Sequence, residues 1–192
     1  MSEQSHPVSH SDQPSSTQPH GENTLLWTVW LTYGAFYFCR TNISAAVPGL
    51  KASVEAGGLG LSATEISYIL GGTKIAYAVG QLLNGQFSEQ LAPRKLLAIG
   101  MLGTAALNVC FGFGTSLYFL IFIWACNGYS QSLGWTPCVR VLANWIPVSR
   151  RGKVIGFIGT GYQATAVATY VISGQAASYL GWRGALWVPA AI

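Results

Sequence analysis

Three cationic side chains interrupt runs of apolar residues: Arg40, Lys74 and Arg140. Placing such a charge at bilayer depth costs about 2.5–3.5 kcal/mol on insertion scales, so it faces a cavity or a partner and marks a candidate functional site. Tyr33, Tyr37, Arg40 and Ser44 follow one another at i, i+4, i+7 and i+11, which puts all four on one helix face. No acidic residue lies deep inside any apolar run; Glu65 stands in a first helical turn. A buried cation without a protein counter-ion calls for an anionic ligand, and guanidinium offers the planar fork that matches carboxylate or phosphate. The competing assignment has Arg40 bonded to backbone carbonyls or to a partner outside the chain.

A second stripe, Lys74, Tyr77, Gln81, Asn84 and Ser88, also runs at three- and four-residue steps. At ~1.5 Å per residue, Lys74 falls at about the depth of Arg40. Gln81 lies about two turns nearer the end that the loop charges assign to the cytoplasm. Lys74 is a candidate second cation; alternatively its long stem snorkels to the outer surface. Later in the chain Asn127, Gln131, Trp135, Tyr162, Gln163 and Thr169 place polar and aromatic groups inside apolar runs. Gly152, Gly156, Gly159 and Gly161 read as contacts that let membrane helices approach closely.

The elements that carry these residues follow from composition. Of 192 residues, 51% are apolar and 8% charged, against about 25% charged in an ordinary soluble domain. With 23 glycines and a net charge of +4 spread over scattered residues, a soluble enzyme, a disordered chain and a nucleic-acid binder are all excluded. What remains is an all-α polytopic membrane protein. Cys39, Cys110, Cys126 and Cys138 lie in apolar stretches without metal-ligand spacing and read as small reduced hydrophobes; no metal and no cofactor are expected. Residues 1–23, which hold His6, His10 and His20, read as a disordered tail without a cleaved signal.

Spans are expected over about Thr24–Pro48, Ser62–Phe87, Leu96–Gly114, Leu117–Ile146 and Val154–Leu180. A sixth starts near Trp182 and is cut at Ile192, short of the about 20 residues that a span needs. Ser62-Ala-Thr-Glu65 is a capping-box pattern. The runs are too long for strands and lack their alternation. Trp27, Trp30, Trp145 and Trp182 near span ends read as interfacial aromatics. The loops after spans two and four carry Arg94, Lys95, Arg150, Arg151 and Lys153, whereas the opposite loops carry Lys51 and Arg183. That bias puts the N-terminus in the cytoplasm.

Residues 85–95, Gly-Gln-Phe-Ser-Glu-Gln-Leu-Ala-Pro-Arg-Lys, resemble the loop signature between helices two and three of the major facilitator superfamily, Gly-x-x-x-Asp-Arg-x-Gly-Arg-Lys. Glu89 stands for the Asp, Gln90 for the first Arg, Ala92 for the second Gly and Pro93 for the second Arg. Tyr-Gly-Ala-Phe-Tyr-Phe-Cys-Arg-Thr-Asn at 33–42, Ala76-Tyr77, Gly134-Trp135-Thr136-Pro137-Cys138-Val139-Arg140 and Arg151-Gly152 resemble the organophosphate:phosphate antiporter family, over about residues 24–192. That family includes glycerol-3-phosphate and hexose-phosphate transporters.

The resemblance implies the N-terminal six-helix bundle of a two-bundle transporter, truncated within helix six, with a midplane site and a C-terminal bundle as partner. It implies secondary active transport of a small anionic metabolite in the cell membrane, an organic phosphate exchanged for inorganic phosphate, by a monomer when full length. A carrier of a carboxylate or other organic anion, or a transporter-like sensor of sugar phosphates, is the alternative. By position it assigns substrate binding to Arg40, Tyr33, Tyr37, Gln131 and Trp135. Gln81 stands where the glycerol-3-phosphate transporter has a lysine, Tyr162 where it has a histidine, and Thr41 where a lysine is frequent. Depth favours Lys74 and alignment favours Gln81, so both stay candidates. Gly85, Glu89, Arg94 and Arg140 are the expected conformational latch, with Glu89 and Arg140 as a buried pair. No ATP-binding loop is present, and no buried His, Asp or Glu offers acid–base catalysis.

The loop charges predict that Ser149, after the fourth span, faces the cytoplasm. Ser149→Cys should therefore resist an impermeant thiol reagent added outside intact cells; labelling there would reverse the topology.

Overall fold

The computed structural model describes residues 21–192. The expected tail, with its three histidines, lies outside the described residues except for its last three positions. The described residues form seven α-helices: α1 Glu22–Thr41, α2 Ile43–Lys51, α3 Ala63–Gln90, α4 Pro93–Gly112, α5 Leu117–Ser132, α6 Trp135–Trp145 and α7 Val148–Ala190. A 3-10 turn, Val54–Ala56, bridges α2 and α3, and the described residues contain no strand. The all-α architecture is the expected one. Among the described residues, α4 taken alone is the one helix both long and apolar enough to cross a membrane.

Local chemistry sets the boundaries. The Glu65 amide donates to Ser62 Oγ at 3.2 Å while Glu65 Oε2 accepts from the Ser62 amide at 2.8 Å, which closes the capping box at the start of α3. Pro93 occupies the first turn of α4, where its missing N–H costs nothing. Gly181 interrupts α7 with φ 70°, a left-handed conformation that suits glycine, so the fifth and sixth expected spans meet there.

Two expected spans divide. The first gives α1 and α2 around Asn42, where the Ala45 amide bonds the Asn42 carbonyl at 3.0 Å, a tighter i−3 turn. The fourth, expected over Leu117–Ile146, breaks at Leu133–Gly134 into α5 and α6. Pro137 supplies no N–H to the preceding turn, and tightening i−3 bonds run from Leu133 and Gly134 to Ser130 and Gln131.

Helix one also starts at Glu22 rather than Thr24. Glu22 is 1% exposed and its carboxylate pairs with Arg150 at 2.8 Å, at the start of α7. The tail assignment does not extend to these positions, because this buried charge finds its partner far along the chain. Trp182 is buried against the protein, and its indole N–H donates to the Gly57 carbonyl at 3.3 Å.

α3 packs along α5, and α1 with α2 along α7, with α4 against α5 and the end of α7. Two apolar clusters result. One gathers Ile43, Leu50, Ile69, Phe111, Leu120, Trp124 and Leu186; the other gathers Val29, Tyr33, Cys138, Leu142, Val154 and Ile158. Along the first and fourth spans a polar layer separates them, with Asn42, Asn127 and Gln131 between residues of one cluster and residues of the other.

One close backbone approach is where α3 crosses α5. A Cβ at Gly128 would stand 2.4 Å from the Thr73 carbonyl oxygen, and Thr73 Oγ1 donates across the crossing to the Trp124 carbonyl at 3.1 Å. Gly128→Ala should therefore lower the thermal midpoint in detergent, because overpacking costs about 1–3 kcal/mol against about 1 kcal/mol gained in helix propensity. Gly71→Ala, with nothing within 4 Å, should not lower it.

Candidate functional site

Arg40 lies on the last turn of α1, directly before the joint with α2. Its Nε–H donates to Gln131 Oε1 on α5, and its Nη1 donates to the Tyr37 hydroxyl at 3.2 Å. The guanidinium carbon sits 4.6 Å from the centre of the Tyr37 ring and 5.0 Å from that of Tyr77. Two π faces and one neutral amide thus surround the charge, with no carboxylate bonded to it. Arg40 Nη2 is buried and, among the described residues, has no partner. It is a donor left over on a cation that the protein has oriented but not neutralised.

Gln131 does the orienting. It is 2% exposed, and while its carbonyl accepts from Arg40, its Nε2 donates to the Cys39 carbonyl at 2.9 Å. The same carbonyl accepts from Asn108 Nδ2 at 3.2 Å and Asn127 Nδ2 at 3.3 Å. Asn108 also donates to the Thr104 carbonyl at 2.9 Å and accepts from Asn42 Nδ2 at 2.8 Å. Asn42, Asn108 and Asn127 are fully buried. Four carboxamides from three spans converge beside Arg40, and Gln131 links them to it. Both ends of Gln131 are occupied by protein, so its role is to position Arg40. Asn42 and Asn108 were missed; their signal was a carboxamide inside an apolar run.

Arg40 opens into a cavity of about 550 Å³, also lined by Tyr33, Tyr37, Thr41, Ser44, Thr73, Lys74, Tyr77, Gln131 and Tyr170 and, among the described residues, by no acidic one. Lys74 and Arg40 therefore share one cavity, as depth counting suggested. Gln81 lies elsewhere. Its Nε2 donates to the Tyr77 hydroxyl at 2.8 Å and its Oε1 accepts from Thr136 at 3.0 Å, so its amide is spent on positioning Tyr77. Asn84 and Ser88 continue the stripe into the packed interior, where Asn84 Nδ2 donates to Ser132 at 2.6 Å.

Trp135 and Tyr162 do not line this cavity. They wall a neighbouring cleft of about 730 Å³ that shares Tyr33 and Tyr37 with it. The rings pack closely: Tyr33 to Trp135 at 4.9 Å and Tyr37 stacked on Tyr162 at 5.0 Å between centroids.

The expected latch pair is not formed here. Glu89 is exposed at the end of α3, and Arg140 Nη1 donates to the Leu91 carbonyl at 3.4 Å. A helix end leaves carbonyls without intrahelical partners, and this cation takes one of them. Gly85 is half-buried and Arg94 exposed. Among the described residues the one ion pair is Glu22–Arg150.

Comparison with known proteins adds an independent line. Residues 29–192 match the family model described as Major Facilitator Superfamily. The chain is similar to a "Probable hexose phosphate transport protein" of Chlamydia trachomatis, 32% identical over 168 residues, 88% of this chain and 36% of that protein. It is similar to the "Membrane sensor protein UhpC" of Escherichia coli, 30% identical over 164 residues, 85% of this chain and 36% of that protein. It is also 30% identical over 174 residues to the "Glycerol-3-phosphate transporter" of Bacillus subtilis, 85% of this chain and 37% of that protein. The chain spans about a third of the length of these curated relatives.

Gln131→Leu leaves the Arg40 Nε–H unpaired and removes one donor from the Cys39 carbonyl. The expected loss is about 1–3 kcal/mol, the cost of a buried polar group without its partner, seen as a lower thermal midpoint in detergent. An unchanged midpoint would show that the amide holds nothing.

Proposed function

Since the chain belongs to the Major Facilitator Superfamily, we propose that it forms the N-terminal, multi-pass part of a transporter that moves an organic phosphate in exchange for inorganic phosphate. The observation that carries this reading is the Arg40 guanidinium, held by Gln131 and two tyrosines, which lines a cavity together with Lys74 and, among the described residues, no acidic group. Two cations and several hydroxyls around one space suit a dianion that accepts hydrogen bonds on three oxygens better than a monoanion. The similarity to the hexose-phosphate and glycerol-3-phosphate transport proteins supports the same substrate class. Lys74, rather than Gln81, is the second cation.

In this reading the cavity lies at the midplane, and a second bundle closes over it from the other side. The anion bridges both bundles, and rocking about it exposes the site alternately to either face. Charge makes the cycle obligatory: Arg40 and Lys74 repel one another when the site is empty, so the transition is easiest with an anion between them. Downhill flux of phosphate then drives the organic phosphate. The N-terminus faces the cytoplasm and the complete protein acts as a monomer. Gly85, Glu89, Arg94 and Arg140 would latch a conformation other than the one described here. Similarity to the membrane sensor favours a second reading, in which the same site reports sugar phosphate to a partner. Uptake into proteoliposomes separates the two.

Arg40 is the residue to test, in protein expressed from its complete reading frame. Arg40→Lys keeps the charge but loses the fork, so phosphate affinity should fall by about 10- to 150-fold, the loss of one charged hydrogen bond, with expression unchanged. Arg40→Ala should abolish phosphate exchange. A folded Arg40→Ala protein that binds phosphate with wild-type affinity would make Arg40 structural.

A further inference from the structure

The cleft beside the anion cavity has an unusual floor. Gly156 and Gly159 line it on α7, one turn apart. Glycine inside a helix costs about 1 kcal/mol relative to alanine, so a helical glycine needs a reason. Close packing is the reason at Gly161, where a Cβ would stand 2.9 Å from the Trp30 ring, and at Gly34, where it would stand 2.6 Å from Thr165 Oγ1. At Gly156 nothing lies within 4 Å, and at Gly159 the one neighbour is Tyr162 Cε1 at 3.7 Å. The packing role expected for these two glycines is therefore not what the bundle shows. Their missing side chains leave space in the cleft.

The walls fit one kind of occupant. Trp135 and Tyr162 offer aromatic faces, whose negative quadrupole attracts the C–H faces of a ring. Gln163 is exposed at the rim and its side chain makes no hydrogen bond among the described residues, so a donor and an acceptor stand beside the rings. Aromatic faces with a few polar groups at the edge suit a molecule that is apolar on its faces and polar around its rim. The shared tyrosines fix where that molecule ends, because Tyr37 bonds Arg40 on one side and stacks on Tyr162 on the other. We propose that the cleft receives the uncharged part of the substrate, a polyhydroxylated ring whose phosphate lies on Arg40 and Lys74, and that Gly156 and Gly159 set the size of ring admitted. This rests on the phosphate-exchange reading above and adds a specificity determinant to it.

The test compares two substrates of one protein, expressed from its complete reading frame and reconstituted in phosphate-loaded proteoliposomes. Inorganic phosphate needs only the anion cavity; a hexose 6-phosphate needs the cleft as well. Gly156→Leu should raise the KM for hexose 6-phosphate by roughly 10- to 200-fold, the range by which added bulk in a pocket discriminates, and leave that for phosphate within about twofold. Equal losses on both substrates would assign Gly156 to helix packing or to contact with another part of the protein and overturn the proposal. So would an unchanged KM for hexose 6-phosphate. If the leucine variant does not insert, the Gly156→Ala/Gly159→Ala protein should show the same split in smaller measure, and equal KM changes there overturn the proposal as well. A wild-type protein that exchanges neither substrate refutes the phosphate reading and this inference together, whereas exchange of phosphate alone refutes only the inference.

Discussion

The middle of this bundle is organised around one backbone carbonyl. Cys39 O accepts side-chain N–H groups from Asn108, Asn127 and Gln131, and Asn42 feeds the same network through Asn108. In an apolar solvent a backbone group without a partner costs several kcal/mol, so a tightened turn such as the one at Asn42 survives only where other groups attend to its carbonyls. The carboxamides meet that need and tie α1 to α4 and α5 at one level. They also fix the base of Arg40, the very next residue. The defect in the helix that carries the site is supported by side chains from two neighbouring helices.

On the proposed reading, a second constraint is that Arg40 stays charged without being satisfied. A carboxylate partner would have stabilised it and removed its attraction for an anion. The protein instead offers a neutral amide and the faces of Tyr37 and Tyr77, which lower the cost of burying the cation but leave its field intact. Gln81 and Thr136 hold Tyr77 in turn through its hydroxyl. Most of the polar groups around the cavity thus serve to hold others, and few remain free to meet a ligand.

Charges at the bundle ends do different work. Glu22 with Arg150 joins the start of α1 to the start of α7. Arg151 donates to the Ile146 and Ala143 carbonyls at 3.0 and 2.7 Å and closes the end of α6. Arg183 donates to the Gly112 carbonyl at 2.9 Å and closes the end of α4. These contacts satisfy helix termini that would otherwise be left to water or headgroups.

Helix content, the capping box at Ser62, the break near Gly181 and the face shared by Tyr33, Tyr37 and Arg40 were all legible in the sequence, because each rests on hydrophobic period or on residues within one turn. Counting along two helix axes put Lys74 level with Arg40, and the two line one cavity. The tertiary structure alone decided which polar groups stay free. Gln81, Gln131 and Trp135 look alike as polar or aromatic positions within spans. They differ only in what faces them: Thr136 and Tyr77, Arg40 and Cys39, or an open cleft. The same holds for the glycines, since Gly156 and Gly161 are identical in sequence terms and differ by whether Trp30 stands opposite. It holds too for Glu22, which reads as part of a polar tail until Arg150, 128 residues away, is brought to it. A periodic pattern specifies which way a side chain points; only packing between distant segments specifies what it meets.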